Sequence, residues 1–459
     1  MPSNILMPLR VLWKRRGLER SCRWTRAELS MHQSQAERAI RQYAYQCSPF
    51  YRRFHAGLES HPLSELPILT KATMMEHFDD LVTDRSIRFR EVEDFLGDDS
   101  VRLYRGRYVA LATSGSTGRR GVFLFNEKEW LTAVASIARP IGWAGIQPNL
   151  FRPSRTAMVT STAASHYSAR VGLSVSSRLI PTLRLDAAEP LESMVRRLNQ
   201  WQPEVLVAYP SILRQLAEEQ VQGRLQVPIR YVATSAEVLT AETRKRVEKA
   251  WPAKIYDTYG ATEYAPIAAE CSYGRKHLFE DGAIIEIVDE RGRAVPPGVA
   301  GDRILLTIFN RRTQPLIRYE ISDMVRPVAG ECECGRPFRL IEAVEGRVED
   351  VLSFPAGDGT GQSISIHPNA FHRVLESAPV TGWQVVKADD ELRVNLTGLR
   401  DAAWRAQIES AVRGLLAREG AAHLEVRVRD VEQLQRGATG KTPLIVSNAR
   451  KKSGEAVTP

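Results

Sequence analysis

Long hydrophobic runs are missing from this chain of 459 residues. No apolar stretch approaches the roughly 18–20 residues that span a bilayer, so a helical membrane span is not expected. Cysteine is scarce and odd in number, five in all, which argues against a small secreted scaffold held by disulfides. Lysine is scarce too, eleven against 52 arginines. The net charge of +9 invites a nucleic-acid partner, but the arginines are dispersed along the whole chain rather than gathered in a stripe. Zinc-finger, helix-turn-helix and RNA-recognition signatures are absent from the sequence, so no nucleic-acid partner is expected. At the amino terminus Arg10, Lys14, Arg15, Arg16, Arg20, Arg23 and Arg26 interleave with Leu, Val and Trp. Without a continuous apolar core or a small-residue cleavage site, this reads as a basic amphipathic helix capping the domain rather than a secretory signal. A cytoplasmic location is the expectation.

What is present first is a loop, Thr113-Ser114-Gly115-Ser116-Thr117-Gly118, set between the apolar runs Tyr108–Leu111 and Val122–Phe125. Glycines let the backbone turn its N–H groups around an anion, and the hydroxyls add donors, which is what a triphosphate needs. A Walker loop would close on Gly-Lys-Ser/Thr and open a helix. Here no lysine follows, and β-branched and aromatic residues do, so the context reads as strand–loop–strand.

Short apolar runs at Ala157–Thr160, Val205–Ala208 and Arg230–Ala233 read as buried strands, with helices at Ser211–Glu219 and Ala241–Trp251. That alternation implies β-α units and a parallel sheet. Alternating strands follow at Ala283–Val288, Asp302–Phe309 and Pro315–Tyr319. Past Asp350 come helices near Asn369–Ser377 and Ala402–Ala417, and strands near Gln384–Val386, Leu392–Leu396 and Glu425–Val428. The fold class is therefore α/β: a large amino-terminal domain with parallel α/β sheet layers plus a β-rich subdomain, then a small α+β carboxyl-terminal unit.

Cys271, His277, Cys332 and Cys334 make a Cys-x5-His pair followed by Cys-x-Cys. Three thiolates and one imidazole suit a closed, tetrahedral, structural zinc ion. The alternative is three thiols that never meet, with His277 a hydrogen-bonded surface residue.

Four further segments accompany the hydroxyl-rich loop in a fixed order: Tyr256–Glu263 (YDTYGATE), Pro315–Asp323 (PLIRYEISD), Gly346–Asp350 (GRVED) and Gly437–Lys441 (GATGK). Together they resemble the adenylate-forming superfamily of acyl-CoA synthetases and adenylation domains, most closely its phenylacetate-CoA ligase-like branch. Ser48–Tyr51, Leu66–Lys71, Tyr209–Leu213 and Ser235–Glu237 extend the likeness to nearly the whole span from Ser48 to Lys441.

The resemblance implies an AMP-forming ligase that joins a carboxylic acid to ATP and passes the acyl group to coenzyme A. Ser114, Gly115, Ser116, Thr117 and Gly118 would cradle the β- and γ-phosphates, with Arg119, Arg120 and Gly121 where the family commonly has lysine and proline. Tyr259, with Gly260, would pack on adenine and Thr262 would meet the α-phosphate. Glu263 would bind Mg2+, a hard cation that prefers oxygen ligands. Ser235, Ala236 and Glu237 would flank adenine and the acyl pocket. Asp323 would hold the ribose hydroxyls, with Arg318 nearby as phosphate or structural support, and Arg347 would reach ribose or phosphate. Lys441 would neutralise charge as carboxylate and phosphate meet. His166 and Tyr167 stand where relatives often place substrate contacts, and a hydrogen-bonded core histidine is equally open.

The domains the resemblance implies are 1–346 for ATP and acid, a hinge at 347–350, and 351–459, a small, mobile α+β domain carrying the catalytic lysine. An aryl or arylacetic acid is the substrate class the branch points to. Transfer to an amine or a carrier-protein thiol, and a non-catalytic nucleotide-binding relative, remain the alternatives. A homodimer is allowed by the residues but not specified.

Overall fold

The structure is a computed structural model. It describes residues 6–98, 102–113, 120–143, 153–347, 351–356, 363–376, 378–388, 391–399, 401, 403–437 and 441–447, without the side chains of residues 6, 343, 345, 347, 369, 373 and 447.

Residues 6–98 carry six α-helices: α1 (Leu6–Glu19), α2 (Arg26–Cys47), α3 (Pro49–Phe54), α4 (Lys71–Glu76), α5 (Phe78–Leu81) and α6 (Phe89–Gly97). A reciprocal capping box starts α2, Thr25 Oγ1 accepting from Glu28 N while Glu28 accepts from Thr25 N. The basic amino-terminal helix forms and packs on α7 (Glu127–Trp143). Its apolar residues do not segregate to one face, however: Val11 is buried, whereas Leu9 and Trp13 are exposed.

Strands β1 (Val109–Ala112) and β2 (Val122–Phe125) pair antiparallel, Ala112 opposite Val122, so the chain between them is a hairpin connection as expected. The main sheet begins with β3 (Thr156–Thr160), continued by α8 (Tyr167–Val175), β4 (Thr182–Asp186), α9 (Leu191–Trp201), β5 (Val205–Ala208) and α10 (Pro210–Val221). Then come β6 (Tyr231–Ser235), α11 (Ala241–Ala250) and β7 (Lys254–Tyr259). These five strands run parallel in the order β7-β6-β5-β3-β4. Their apolar residues and the facing sides of α9, α10 and α11 form one core, around Leu206, Ile212, Leu213 and Trp251. The β-α alternation expected from the sequence is present at the expected places, together with β4 and β7, which the apolar-run pattern had not singled out.

Beyond β7 the same sheet turns antiparallel through β8 (Ala268–Glu270) and β9 (Lys276–Leu278). A separate three-stranded sheet holds β10 (Ala283–Val288), β11 (Arg303–Ile308) and β12 (Tyr319–Ile321). The strand expected over Pro315–Tyr319 begins only at Tyr319. The reason is local: Ile317 N donates to the Tyr51 hydroxyl, Arg318 N donates to Thr307 Oγ1, and Arg318 is left-handed at φ 46. Those backbone donors are therefore unavailable to a ladder, and the chain bends before pairing. β13 (Asp323–Val328) and β14 (Leu340–Arg347) rejoin the large sheet, with Asp323 opposite Arg347.

The remaining residues form β15 (Leu352–Pro355), β16 (Ser363–Ile366), α12 (Pro368–Leu375), β17 (Gly382–Lys387), β18 (Glu391–Thr397), α13 (Ala403–Arg418), β19 (Glu425–Asp430) and β20 (Ile445–Ser447). They pack a core of their own around Phe354, Phe371, Trp383 and Leu415.

One buried ion pair ties the amino-terminal helices to the sheet. Arg139 Nη1 of α7 donates to both carboxylate oxygens of Asp281, at 3.1 and 2.9 Å, and Ser21 Oγ donates to the same carboxylate. Both charged side chains are at most 5% exposed. Removing one partner of such a pair strands the other, so Asp281→Ala should lower the unfolding free energy by about 3–5 kcal/mol. The double variant Arg139→Met/Asp281→Leu should recover part of that loss; urea denaturation of the three proteins measures it.

Candidate active site

The carboxyl ends of parallel strands leave backbone groups and loop side chains facing outward, and a cavity lies there. Its volume is about 610 Å³. Part of its lining is apolar, with Ile137 and Pro140 of α7 beside Met158, Val171, Val207 and Val232. Another part is polar, with Thr160, Thr258, Thr262, Glu263 and Lys441.

Gly260, Thr262 and Glu263 follow β7 and line this polar side. Glu263 is 6% exposed, and its Oε1 accepts from the Tyr319 hydroxyl at 3.1 Å. That bond orients the carboxylate at the cavity wall. Tyr259, one residue before Gly260, donates its hydroxyl to Asp323 Oδ2 at 2.7 Å. Two residues picked out from separate segments are thereby joined, and the strand register sets Arg347 beside them. The Arg347 side chain lies outside the described residues, as do Ser114, Gly115, Ser116, Thr117, Gly118 and Arg119. What flanks that loop is described: Thr113 N donates to Gly121 O at 2.9 Å, Gly121 N donates to Thr113 Oγ1 at 2.8 Å, and Ala112 and Thr113 line the cavity.

Ser235 and Ala236 also line the cavity, Ala236 at φ 72. Glu237 turns instead toward α10 and the carboxyl-terminal residues. Its carboxylate accepts from Ser211 N at 2.9 Å, Ser211 Oγ at 3.1 Å and Thr442 N at 3.1 Å. Burial pushes the Glu237 carboxyl above its ordinary range, against the pull of those donors and of Lys441. Lys441 precedes Thr442 and reaches the cavity, its Nζ standing 5.7 Å from the centre of the Tyr209 ring.

His166 and Tyr167, at the start of α8, line the apolar side. His166 Nδ1 is 2.6 Å from Ser161 Oγ, and the Tyr167 ring packs edge-on against Trp130 at 5.4 Å. Arg318 is not part of this cavity. Its guanidinium is taken up by Glu286 and by the carbonyls of Ser64, Leu66 and Gly292, and its side chain is 4% exposed. Of the two roles open to it in the sequence, structural support is the one its contacts serve. The structure adds Thr70, Lys71 and Tyr319 to the lining. Only the neighbourhood of Leu66–Lys71 and of Pro315–Asp323 had marked them in the sequence.

Cys271, His277, Cys332 and Cys334 meet, their ligand atoms all within 4.8 Å of one another. His277 is fully buried rather than a surface residue. Cys271 Sγ lies 3.7 Å from Cys332 Sγ, and His277 Nε2 lies 3.2 Å from Cys334 Sγ. A tetrahedral ion with metal–sulfur bonds of about 2.3 Å sets sulfurs about 3.8 Å apart, close to that first distance. His277 Nδ1 faces Phe338 O at 3.3 Å, the outer-shell contact that turns Nε2 toward a metal. Burial holds the imidazole near pKa 4, so it stays neutral, as a ligand must.

Comparison with known proteins finds a family pattern, relatives and solved structures that this chain resembles. The sequence pattern of a family described as AMP-binding enzyme matches residues 108–305. A phenylacetate-coenzyme A ligase of Thermus thermophilus is 24% identical over 384 residues, 79% of this chain and 78% of that protein. One from Pseudomonas putida is 26% identical over 343 residues, 71% of this chain and 72% of that protein. Among solved structures, 2-hydroxyisobutyryl-CoA ligase in the postadenylation state, in complex with R3-HIB-AMP, aligns with a TM-score of 0.71. That alignment covers 94% of this chain and 92% of that one, at 20% identity, and speaks for the fold.

The turn after β7 leaves no slack. A Cβ at Gly260 would stand 2.9 Å from Ala265 Cβ, so Gly260→Ala must displace the turn that carries Thr262 and Glu263. Nucleotide affinity should fall roughly tenfold or more, as for other displaced site geometry. Titration of the variant with nucleotide measures this, and unchanged affinity would show that the turn can give.

Proposed function

We propose that this chain, an adenylate-forming enzyme of the phenylacetate-CoA ligase-like branch, activates a carboxylic acid with ATP and transfers the acyl group to coenzyme A. The observation that carries the reading is that Lys441 shares one cavity with Thr262 and Glu263, although about 180 positions separate them in the sequence. In the first step a carboxylate oxygen attacks the α-phosphorus, the bond to the bridging oxygen breaks, and pyrophosphate leaves. In the second the thiolate of coenzyme A attacks the acyl carbonyl and AMP leaves with the oxygen.

Two anions must approach for the first step, and preorganised cations and donors lower that barrier most. Lys441 and Thr262, which line the same cavity, would supply them. Glu263, held by Tyr319, is the residue that would carry Mg2+, which would draw charge from the phosphates. The Tyr259–Asp323 pair would take adenine and ribose, with Arg347 beside them. The apolar side supports an acid with a flat hydrophobic body, aryl or arylacetic, facing Tyr167 and Met158. We further read residues 1–346 and 351–459 as domains joined by a hinge at 347–350, the separate core of the second supporting that division. No helix among the described residues is long and apolar enough to cross a membrane. A cytoplasmic setting, where ATP and coenzyme A are available, fits the proposed reaction.

Screening acids for pyrophosphate release, with and without coenzyme A, tests the reaction. Acid-dependent release with thioester formation supports it, product formation only with an amine or carrier thiol replaces the acceptor, and no nucleotide affinity sinks it. Lys441→Ala should slow acyl-adenylate formation by roughly 10²-fold or more, as when other electrostatic donors are removed. Thioester formation from supplied acyl-adenylate should be far less affected, and equal losses in both steps would count against the lysine's assigned role.

For the cysteine–histidine quartet, a bound zinc ion is the reading its distances support, closing the loop after Glu263 onto the chain before β14. Elemental analysis should then find about one zinc per chain, as expected for a four-ligand structural site. Changing Cys332 and Cys334 to Ser should remove it and lower the thermal midpoint, because structural metal binding contributes to folding. Metal-free protein of full stability would rule the ion out.

A further inference from the structure

The proposed chemistry needs Lys441 in the cavity, and Lys441 is carried there by the carboxyl-terminal unit. Among the described residues, hydrogen bonds to residues 1–346 hold the carboxyl-terminal unit at several places. Arg436 Nη1 donates to Ala187 O at 2.9 Å, and Thr442 N donates to Glu237. A third is more elaborate. Arg214 Nη2 of α10 and Arg246 Nη1 of α11 converge on a single carbonyl, Val380 O, at 2.8 and 2.9 Å. Arg246 Nη2 reaches Ala378 O at 3.4 Å as well. Glu376, which ends the same segment after α12, lies 3.9 Å from Arg214 Nη1 and accepts from Thr240 Oγ1, the capping hydroxyl of α11.

Two guanidinium groups on one carbonyl is an unusual use of charge. Arg214 is only 7% exposed, and burial beside the Arg246 charge pulls its pKa down to about 10. A cation is costly in such a place unless its partners are worth keeping. Helix α10 also links this point to the cavity. Tyr209, which precedes it, packs under Lys441; Ser211 in its first turn holds Glu237; Arg214 follows one turn later.

We infer that Arg214 and Arg246 form a clamp on Glu376 and the Ala378–Val380 turn, and that this clamp sets Lys441 for the adenylation step. This rests on the ligase reading given above. Arg214, Arg246 and Glu376 are positioning residues: they touch neither nucleotide nor acid, and they act through the placement of the carboxyl-terminal unit. Transfer of the acyl group to a thiol has no need of Lys441, so the clamp serves one half-reaction only.

Arg246→Ala and Glu376→Ala separate this role from a merely structural one, and they avoid emptying the buried Arg214 position. With the acid identified by the pyrophosphate screen, each variant should lose roughly tenfold or more in acyl-adenylate formation, the effect of removing a charge-assisted hydrogen bond. Thioester formation from supplied acyl-adenylate should stay within about twofold of the parent, which is under 0.5 kcal/mol. Arg246→Lys, keeping one donor and the charge, should restore part of the first rate. Equal losses in both half-reactions, or none in either, would overturn the clamp.

Amide hydrogen exchange supplies a readout that needs no substrate. Both alanine variants should exchange faster at Glu376–Val380 and at Ser211, with the core around Trp383 and Phe371 unchanged. Unchanged exchange at the docking face would overturn the clamp even if the parent protein activates no acid. That last result would count against the ligase reading alone.

Discussion

The turn from Leu278 to Gly282 is where the amino-terminal half of the molecule is fastened. Glu280 accepts from Arg26 Nη1, Arg339 N and Arg339 Nε, while Asp281 holds Ser21 and Arg139. The backbone takes part too, with Gln33 Nε2 donating to Glu280 O and His32 Nε2 meeting Asp281 O. Neighbouring carboxylates that are nearly fully buried stand together only because each has its own cations and hydroxyls. The turn is continuous with His277 on one side. It is also bound to Tyr264, whose hydroxyl donates to Phe279 O and would collide with any side chain at Gly282. Tyr264 directly follows Glu263, so the placement of that carboxylate in the cavity is inherited from this fastening.

How much of this was legible beforehand follows from what each feature depends on. The parallel strands were legible because burial on both faces writes a continuous apolar run into the sequence. The carboxyl-terminal α+β unit was legible because its helices and strands alternate with clear periodicity. The strand expected at Pro315–Tyr319 was misplaced because Tyr51 and Thr307, far away in sequence, capture its backbone donors. Arg318 is similar: its motif position is conspicuous, but only the fold shows its guanidinium enclosed by Glu286 and three carbonyls. The meeting of Tyr259 with Asp323 follows from order along the chain only if family resemblance is added. The Arg214–Glu376 contact had no local signature at all, since Arg214 is not unusual on α10 and Glu376 is not unusual just past α12.

The cysteine–histidine quartet stood between these cases. Residue types and the family resemblance proposed it, and the sequence left open whether the thiols would meet. What brings them together is the antiparallel extension of the main sheet, where β9 lies between β8 and β14 with Ala269 opposite His277 and His277 opposite Leu340. The ladder carries His277 into the interior and sets Cys271, just past β8, within reach of the loop bearing Cys332 and Cys334.

The cavity's two sides are built from different materials, and this bears on how such a protein can diverge. The polar side depends on main-chain shape: a glycine at 260 with no room for a methyl group, and a left-handed Ala236. The apolar side depends on side-chain bulk, much of it from α7 and from the sheet residues Met158, Val207 and Val232. Changes of bulk are graded and cheap when volume is conserved, whereas changes of main-chain shape are not. A lineage carrying this architecture can therefore wander among acids by exchanging single side chains on one wall while its handling of the nucleotide stays fixed. Paralogues with different substrates should accordingly differ first along α7.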